Sequence, residues 1–165
     1  MFYNRTSNYQ SKKIGILVFD ITPQAKYDNV SFISEKNCTK FLEDILEVHK
    51  IIDTKYNIGS LTLKPKRAYI KLHSQTYINR IKVLQKSGFI NTENFNVNLL
   101  DFIPNAKIVI SMPFSSPSLI AHRLGVPSCF YNPDTDYNFD TIVDGIEVID
   151  SKENLLLFCK TALGY

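Results

Sequence analysis

No apolar run in this 165-residue chain approaches the ~20 residues a membrane-spanning helix needs, and Met1 to Lys13 is polar and basic, without the apolar stretch of a secretory leader. A cytoplasmic location is therefore expected, with at most a peripheral association with the inner face of the membrane. There are only three cysteines, Cys38, Cys129 and Cys159, odd in number and far apart. That set excludes a disulfide framework and reads as reduced thiols packed as small apolar side chains. The three histidines, His49, His73 and His122, form no close pair with a cysteine or carboxylate, so neither a zinc site nor any other metal or cofactor is expected. No Gly-x-Gly-x-x-Gly and no Walker lysine motif occurs, which leaves dinucleotide-oxidoreductase and P-loop functions without support. Internal repeats and low-complexity linkers are absent as well.

Hydrophobic residues make up 44% and charged residues 21% of the chain, values ordinary for a folded domain. The length suits one domain with a core large enough to need no staple. Residues 1–12 read as an N-terminal extension and residues 13–165 as the domain.

Acidic residues are missing from one stretch. Between Thr54 and Thr92 there is no Asp or Glu, while Lys55, Lys64, Lys66, Arg67, Lys71, Arg80, Lys82 and Lys86 supply +8, so the remainder of this +3 chain carries −5. Such an asymmetry points either to an anionic partner or to a solvated helix face. Nucleic acid is not the expected partner, because no recognised motif and no interleaved aromatic platform accompany the basic residues.

Lys13 to Asp20 is a continuous apolar run ending at a carboxylate, as expected of a strand buried on both faces of a parallel sheet. After a polar loop from Ile21 to Phe32, Ser34 can cap a helix whose apolar residues recur at helical spacing to about Asp53. Asn57 to Leu63 alternates as a strand and runs into Lys64-Pro65-Lys66-Arg67. Ser74 to Lys86 is helical with Gly88 as its stop. Phe89 to Asn91 reads as a short strand and Asn96 to Ile103 as a short helix closed by Pro104. Lys107 to Met112, Pro127 to Tyr131 and Gly145 to Ile149 are further strands. A short helix from Pro117 to Leu124, capped by Ser116, follows the first of these, and a helix capped by Ser151 follows the last. This alternation predicts an α/β fold: a Rossmann-like, doubly wound parallel sheet of about six strands with helices on both faces.

Ligands of such folds bind outside the carboxyl ends of the strands, and four polar constellations fall at predicted strand ends. The first is Ser111-Met112-Pro113-Phe114-Ser115-Ser116-Pro117-Ser118, where free N–H groups and the positive end of a helix dipole can hold phosphate, with Ser115 and Ser116 as extra donors; a simply capped helix has the same sequence. Lys64, Lys66 and Arg67 form the second, able to neutralise a diphosphate or carboxylate, Arg67 bidentately, or to be an exposed basic turn. Asp20 is a ligand-facing carboxylate or a loop cap. Asn132 to Asp134 is the fourth, with Asn132 and Asp134 as possible cleft residues. Tyr69, Tyr77 and Tyr131 read as core or rim packing, and His122 as a partly exposed helix residue.

With these residues in view, the chain resembles the C-terminal part of bacterial surface-polysaccharide biosynthesis proteins that carry a PFTS motif. The matching stretches are Val18 to Pro23, Lys40 to Ile45, Leu63 to Arg67, Val109 to Ala121, Gly125 to Ser128 and Tyr131 to Asp134, with Ser115 in place of the motif's threonine. The resemblance implies the donor-binding domain of a GT-B glycosyltransferase in capsule or O-antigen biosynthesis, holding a nucleotide-sugar. Its motif is also similar to the paired serines that hold a CMP-sugar phosphate in bacterial sialyl- and Kdo-transferases, although those usually carry His-Pro where this chain has Lys64-Pro65 or Lys66-Arg67. In such enzymes the acceptor and the general base come from an N-terminal domain, so the resemblance implies a partner domain or chain and little activity for this domain alone. The alternative is a non-catalytic nucleotide- or anion-binding module of the same fold. A third class, a sugar-nucleotide epimerase relative, needs converging carboxylates or histidines that the sequence does not supply.

Overall fold

The computed structural model describes residues 14–25, 33–113, 115–133 and 140–165. The expected extension at 1–12, residues 26–32 of the loop, Phe114 and Asp134 lie outside the described residues. The central strand β1 (Ile14–Asp20) is buried at all seven positions, as its unbroken apolar run requires. Successive residues serve opposite faces. Ile16 and Val18 join a core with residues of α1 (Glu35–Tyr56), α2 (Gln75–Lys86) and α5 (Lys152–Ala162). Leu17 and Phe19 join a second core with Phe102 of α3 (Leu99–Phe102) and Ala121 of α4 (Ser116–Arg123). Helices therefore cover both faces of the sheet.

The remaining strands are β2 (Ser60–Pro65), β3 (Asn91–Thr92), β4 (Ala106–Ser111), β5 (Ser128–Tyr131), β6 (Ile142–Val143) and β7 (Ile146–Ile149). They form one seven-stranded sheet in the order β3-β2-β1-β4-β5-β7-β6, parallel except for β6, which runs antiparallel to β7. The strand order reverses between β1 and β4, and that reversal defines the switch point of a doubly wound sheet. Gly15 is required where β1 enters: a Cβ there would stand 2.9 Å from the Gly59 carbonyl oxygen, and the β1–β2 register shifts at the same place.

The sheet has seven strands where about six are expected from the sequence. The addition is β6, whose hairpin with β7 turns on Asp144 and Gly145 at φ 52° and 81°. Asp-Gly between apolar residues is the signature of a two-residue turn with both positions at positive φ. Helix α1 runs three residues past Asp53 and closes on Asn57 in the left-handed region at φ 48°. That closure delays β2, which starts at Ser60 instead of Asn57 and continues through Lys64 and Pro65. Pro65 sits opposite Asp20 at the strand end, beyond the two-residue pairing with β3, where its missing N–H is tolerated. Strand β3 falls two residues later than expected. Helix α3 is shorter than expected and passes into a 3-10 turn at Ile103–Asn105 that includes Pro104. Ser34 and Ser151 cap α1 and α5 as anticipated, and Ser74, expected as the first residue of its helix, is instead the cap of α2; each accepts a first-turn N–H.

Candidate functional site

Parallel register sets the site. Phe19 lies opposite Lys64 on one side and Ser111 on the other, Ser111 is opposite Phe130, and Tyr131 is opposite Ile149. Asp20, the basic residues after Pro65, the serine turn after β4 and Asn132 after β5 consequently share the carboxyl edge of the sheet. The chain leaves β1 toward α1 on one face and leaves β4 toward α4 on the other, so these segments flank the switch point.

On the α4 side, Ser115 is the N-cap by its extended backbone (φ −100°, ψ 136°), and Pro117 is the second helical residue. The cap falls one residue earlier than the expected Ser116, which is the exposed first residue of the helix. The Ser115 hydroxyl does not cap. It donates to the Met112 carbonyl oxygen at 2.8 Å and closes the turn around the buried Pro113. No side chain of the cap residue takes a first-turn N–H of α4, in contrast to α1, α2 and α5.

Ser111 and Ser118 are wholly buried beneath that turn. The single Ser118 hydroxyl hydrogen goes to the Cys129 carbonyl at 2.9 Å, so the 2.5 Å contact between the two hydroxyls has Ser111 as its donor. Ser128 donates to the Ser118 carbonyl at 3.0 Å. This chain of bonds ties β4, α4 and β5 together and uses the Ser111 hydroxyl internally, leaving Ser116 as the motif's exposed hydroxyl.

The α1 and α2 side holds a group the sequence only half revealed. Asp20 is 2% exposed, and among the described residues neither of its carboxylate oxygens has a hydrogen-bond partner. The hydroxyls of Thr22, Tyr69 and Tyr77 are likewise buried without partners among the described residues. Burial pushes the Asp20 carboxyl up to about 7; the neighbouring Tyr77 hydroxyl and the local backbone pull it down without prevailing. Burial and then the Asp20 charge hold the Tyr69 and Tyr77 hydroxyls well above the usual phenol range. Cys38, which donates to the Ile21 carbonyl at 3.3 Å, is raised by burial, Asp20 and Glu35, and so is no thiolate nucleophile. Buried unpartnered polar groups cost roughly 1–3 kcal/mol each, and a titrating carboxyl among them at a switch point is the pattern of a functional site.

The basic constellation divides. Lys64 is inside β2, 3% exposed, and its ammonium donates to the Phe95 carbonyl at 2.9 Å. Desolvation lowers its pKa, and the nearby Glu93 charge offsets part of that. Lys66 and Arg67 are exposed beyond the strand end. Asn132 is buried, its N–H bonded to the Ile149 carbonyl at 2.8 Å. His73 is also buried, and its Nδ1 accepts the Ile70 N–H at 3.2 Å, which leaves the ring proton of the neutral form on Nε2. His122 is exposed in the last turn of α4. Tyr131 donates to Asp44 at 2.6 Å, tying β5 to α1. Among the described residues no three His, Cys, Asp or Glu side chains converge as metal ligands would, and no helix is long and apolar enough to cross a membrane.

Fold and edge together define a Rossmann-like α/β domain with its polar groups gathered at the switch point. Residues 2–157 match the family described as polysaccharide biosynthesis PFTS motif protein, and the chain belongs to that family. Its motif is Pro113-Phe114-Ser115-Ser116. No curated protein and no solved structure matches the chain.

Proposed function

We propose that this chain is the nucleotide-sugar-binding domain of a glycosyltransferase in bacterial surface-polysaccharide biosynthesis, and that it grips the donor's phosphate at the start of α4. The observation that carries the reading is the open first turn of α4 beside the switch point. Its cap hydroxyl is turned to Met112, so the N–H groups of that turn and the positive end of the helix dipole are directed at the edge where such folds bind ligands. The Ser116 hydroxyl adds a donor, and Lys66 and Arg67 supply cationic charge from the neighbouring strand end.

In this reading the same groups stabilise the negative charge that grows on the departing phosphate, where loss of one donor typically costs ~10²–10³ in rate. A base that deprotonates the acceptor hydroxyl comes from a partner domain or chain, and no metal is required where cations and helix dipole carry the charge. Asp20 and its tyrosines line the opposite side of the switch point. Calorimetry of the full chain with CMP, UDP and GDP tests the reading. Binding of at least one, weakened at least tenfold by Arg67→Ala, supports it; absence of binding to all three overturns it.

A further inference from the structure

The turn that follows Lys66 and Arg67 carries large aliphatic side chains outward. Ile70 is 51% and Leu72 58% exposed, while the flanking Tyr69 is half-buried and the flanking His73 buried. Backbone hydrogen bonds fix this presentation. His73 N–H donates to the Ile70 carbonyl at 3.0 Å, and Ile70 N–H returns to His73 Nδ1. Ala25 N–H donates to the Leu72 carbonyl at 3.0 Å, and Ser74 N–H to the Pro23 carbonyl at 2.8 Å. The segment after β1 thus clamps the turn from one side while α2 begins on the other. Single exposed aliphatics are ordinary on a soluble fold; here two are held at one turn tip by these bonds, next to the cations of the same loop.

The surroundings are cationic. Lys66, Arg67 and Lys71 are exposed on the same loop, and none makes an ion pair among the described residues. Lys82 and Lys86 are exposed farther along on α2; the acidic side chains that the fold brings to this helix are Glu35, which accepts from Ser74, and Glu43, which pairs with Arg80 at 3.0 Å. A protein partner of ordinary size covers ~800 Å² on each side, far more than two half-exposed aliphatic side chains offer. A bilayer interface, by contrast, accepts a convex apolar tip ringed by cations.

We infer that the Ile70–Leu72 turn docks on an anionic lipid surface, the two aliphatic side chains entering the headgroup boundary and Lys66, Arg67 and Lys71 lying at the level of the lipid phosphates. Because the turn follows β2, docking brings the carboxyl edge of the sheet toward the membrane plane. The inference rests on no residue of α4; Lys66 and Arg67 are shared with the proposed phosphate site, so the test variants are placed at Ile70, Lys71 and Leu72, outside it. Its test is co-sedimentation of the full chain with phosphatidylcholine vesicles, with and without phosphatidylglycerol. The chain is expected on the anionic vesicles only, with binding that falls as salt is raised. An Ile70→Ser, Leu72→Ser double variant lowers the partition at least ~tenfold, and Lys71→Glu lowers it at least ~fivefold, both with unchanged melting temperature and nucleotide affinity. Failure to bind anionic vesicles, equal binding to neutral ones, or unaltered binding by the double serine variant would overturn it.

Discussion

At Asp20 an ionisable group ends a strand made otherwise of Ile, Gly, Leu, Val and Phe, and the physics of that position is set by desolvation. The folded-state pKa of about 7 lies above the ~3.9 of an unfolded aspartate, so the folded chain binds the proton more tightly than the unfolded one. Stability from this group is therefore fully present below pH ~4, is lost as pH rises toward 7, and changes no further above that. Asp20→Asn removes the ionisation and leaves the size, so the variant should lose this pH dependence and gain roughly 2–4 kcal/mol over the wild type at pH 8. Urea unfolding of both proteins at pH 5 and pH 8 checks it; identical pH dependence in the two contradicts it. Asp20 was legible because a carboxylate closes a buried run. Tyr69 and Tyr77 were not, since a tyrosine with a stranded hydroxyl and one that merely packs its ring look alike in a sequence.

Boundaries, more than the elements themselves, separate sequence from structure. Ser115 and Ser116 are both competent caps, and proline is accepted in the first turn after either. Only the Ser115 bond to Met112 decides between them, and that bond depends on a turn conformation the sequence does not encode locally. Lys64 looked like a loop residue because the apolar alternation stops at Leu63, but pairing with β1 extends the strand to Pro65. For β6 the Asp144-Gly145 signal was present, though two apolar residues before it are too few to show periodicity. Helix α5 illustrates how far an element's inward face can be trusted. Leu155 is fully buried beside Cys159, whereas Leu157 is 63% exposed. Leu155→Ala should cost about 2–5 kcal/mol and Leu157→Ser within ~0.5 kcal/mol, as read from denaturant midpoints at constant slope. Equal losses would mean that α5 does not dock on the α1 face through Leu155.

For the whole molecule, alternation of strand and helix predicted a doubly wound sheet, and the order β3-β2-β1-β4-β5 bears that out. It follows that four constellations spread from Asp20 to Asn132 meet at one edge, since parallel strands put every carboxyl end on the same side. What alternation could not supply is the division of labour within that edge: Ser111 and Lys64 are consumed by internal hydrogen bonds, while Ser116, Lys66 and Arg67 stay exposed. Phosphate binding at the open turn of α4, as proposed, is probed by Ser116→Asp. A carboxylate at the first helical position complements the dipole, so the variant should melt no lower than the wild type. The same charge repels a bound phosphate, so calorimetry should show nucleotide affinity reduced at least tenfold. Undiminished affinity in a fully folded Ser116→Asp protein would mean that the first turn of α4 does not hold the phosphate.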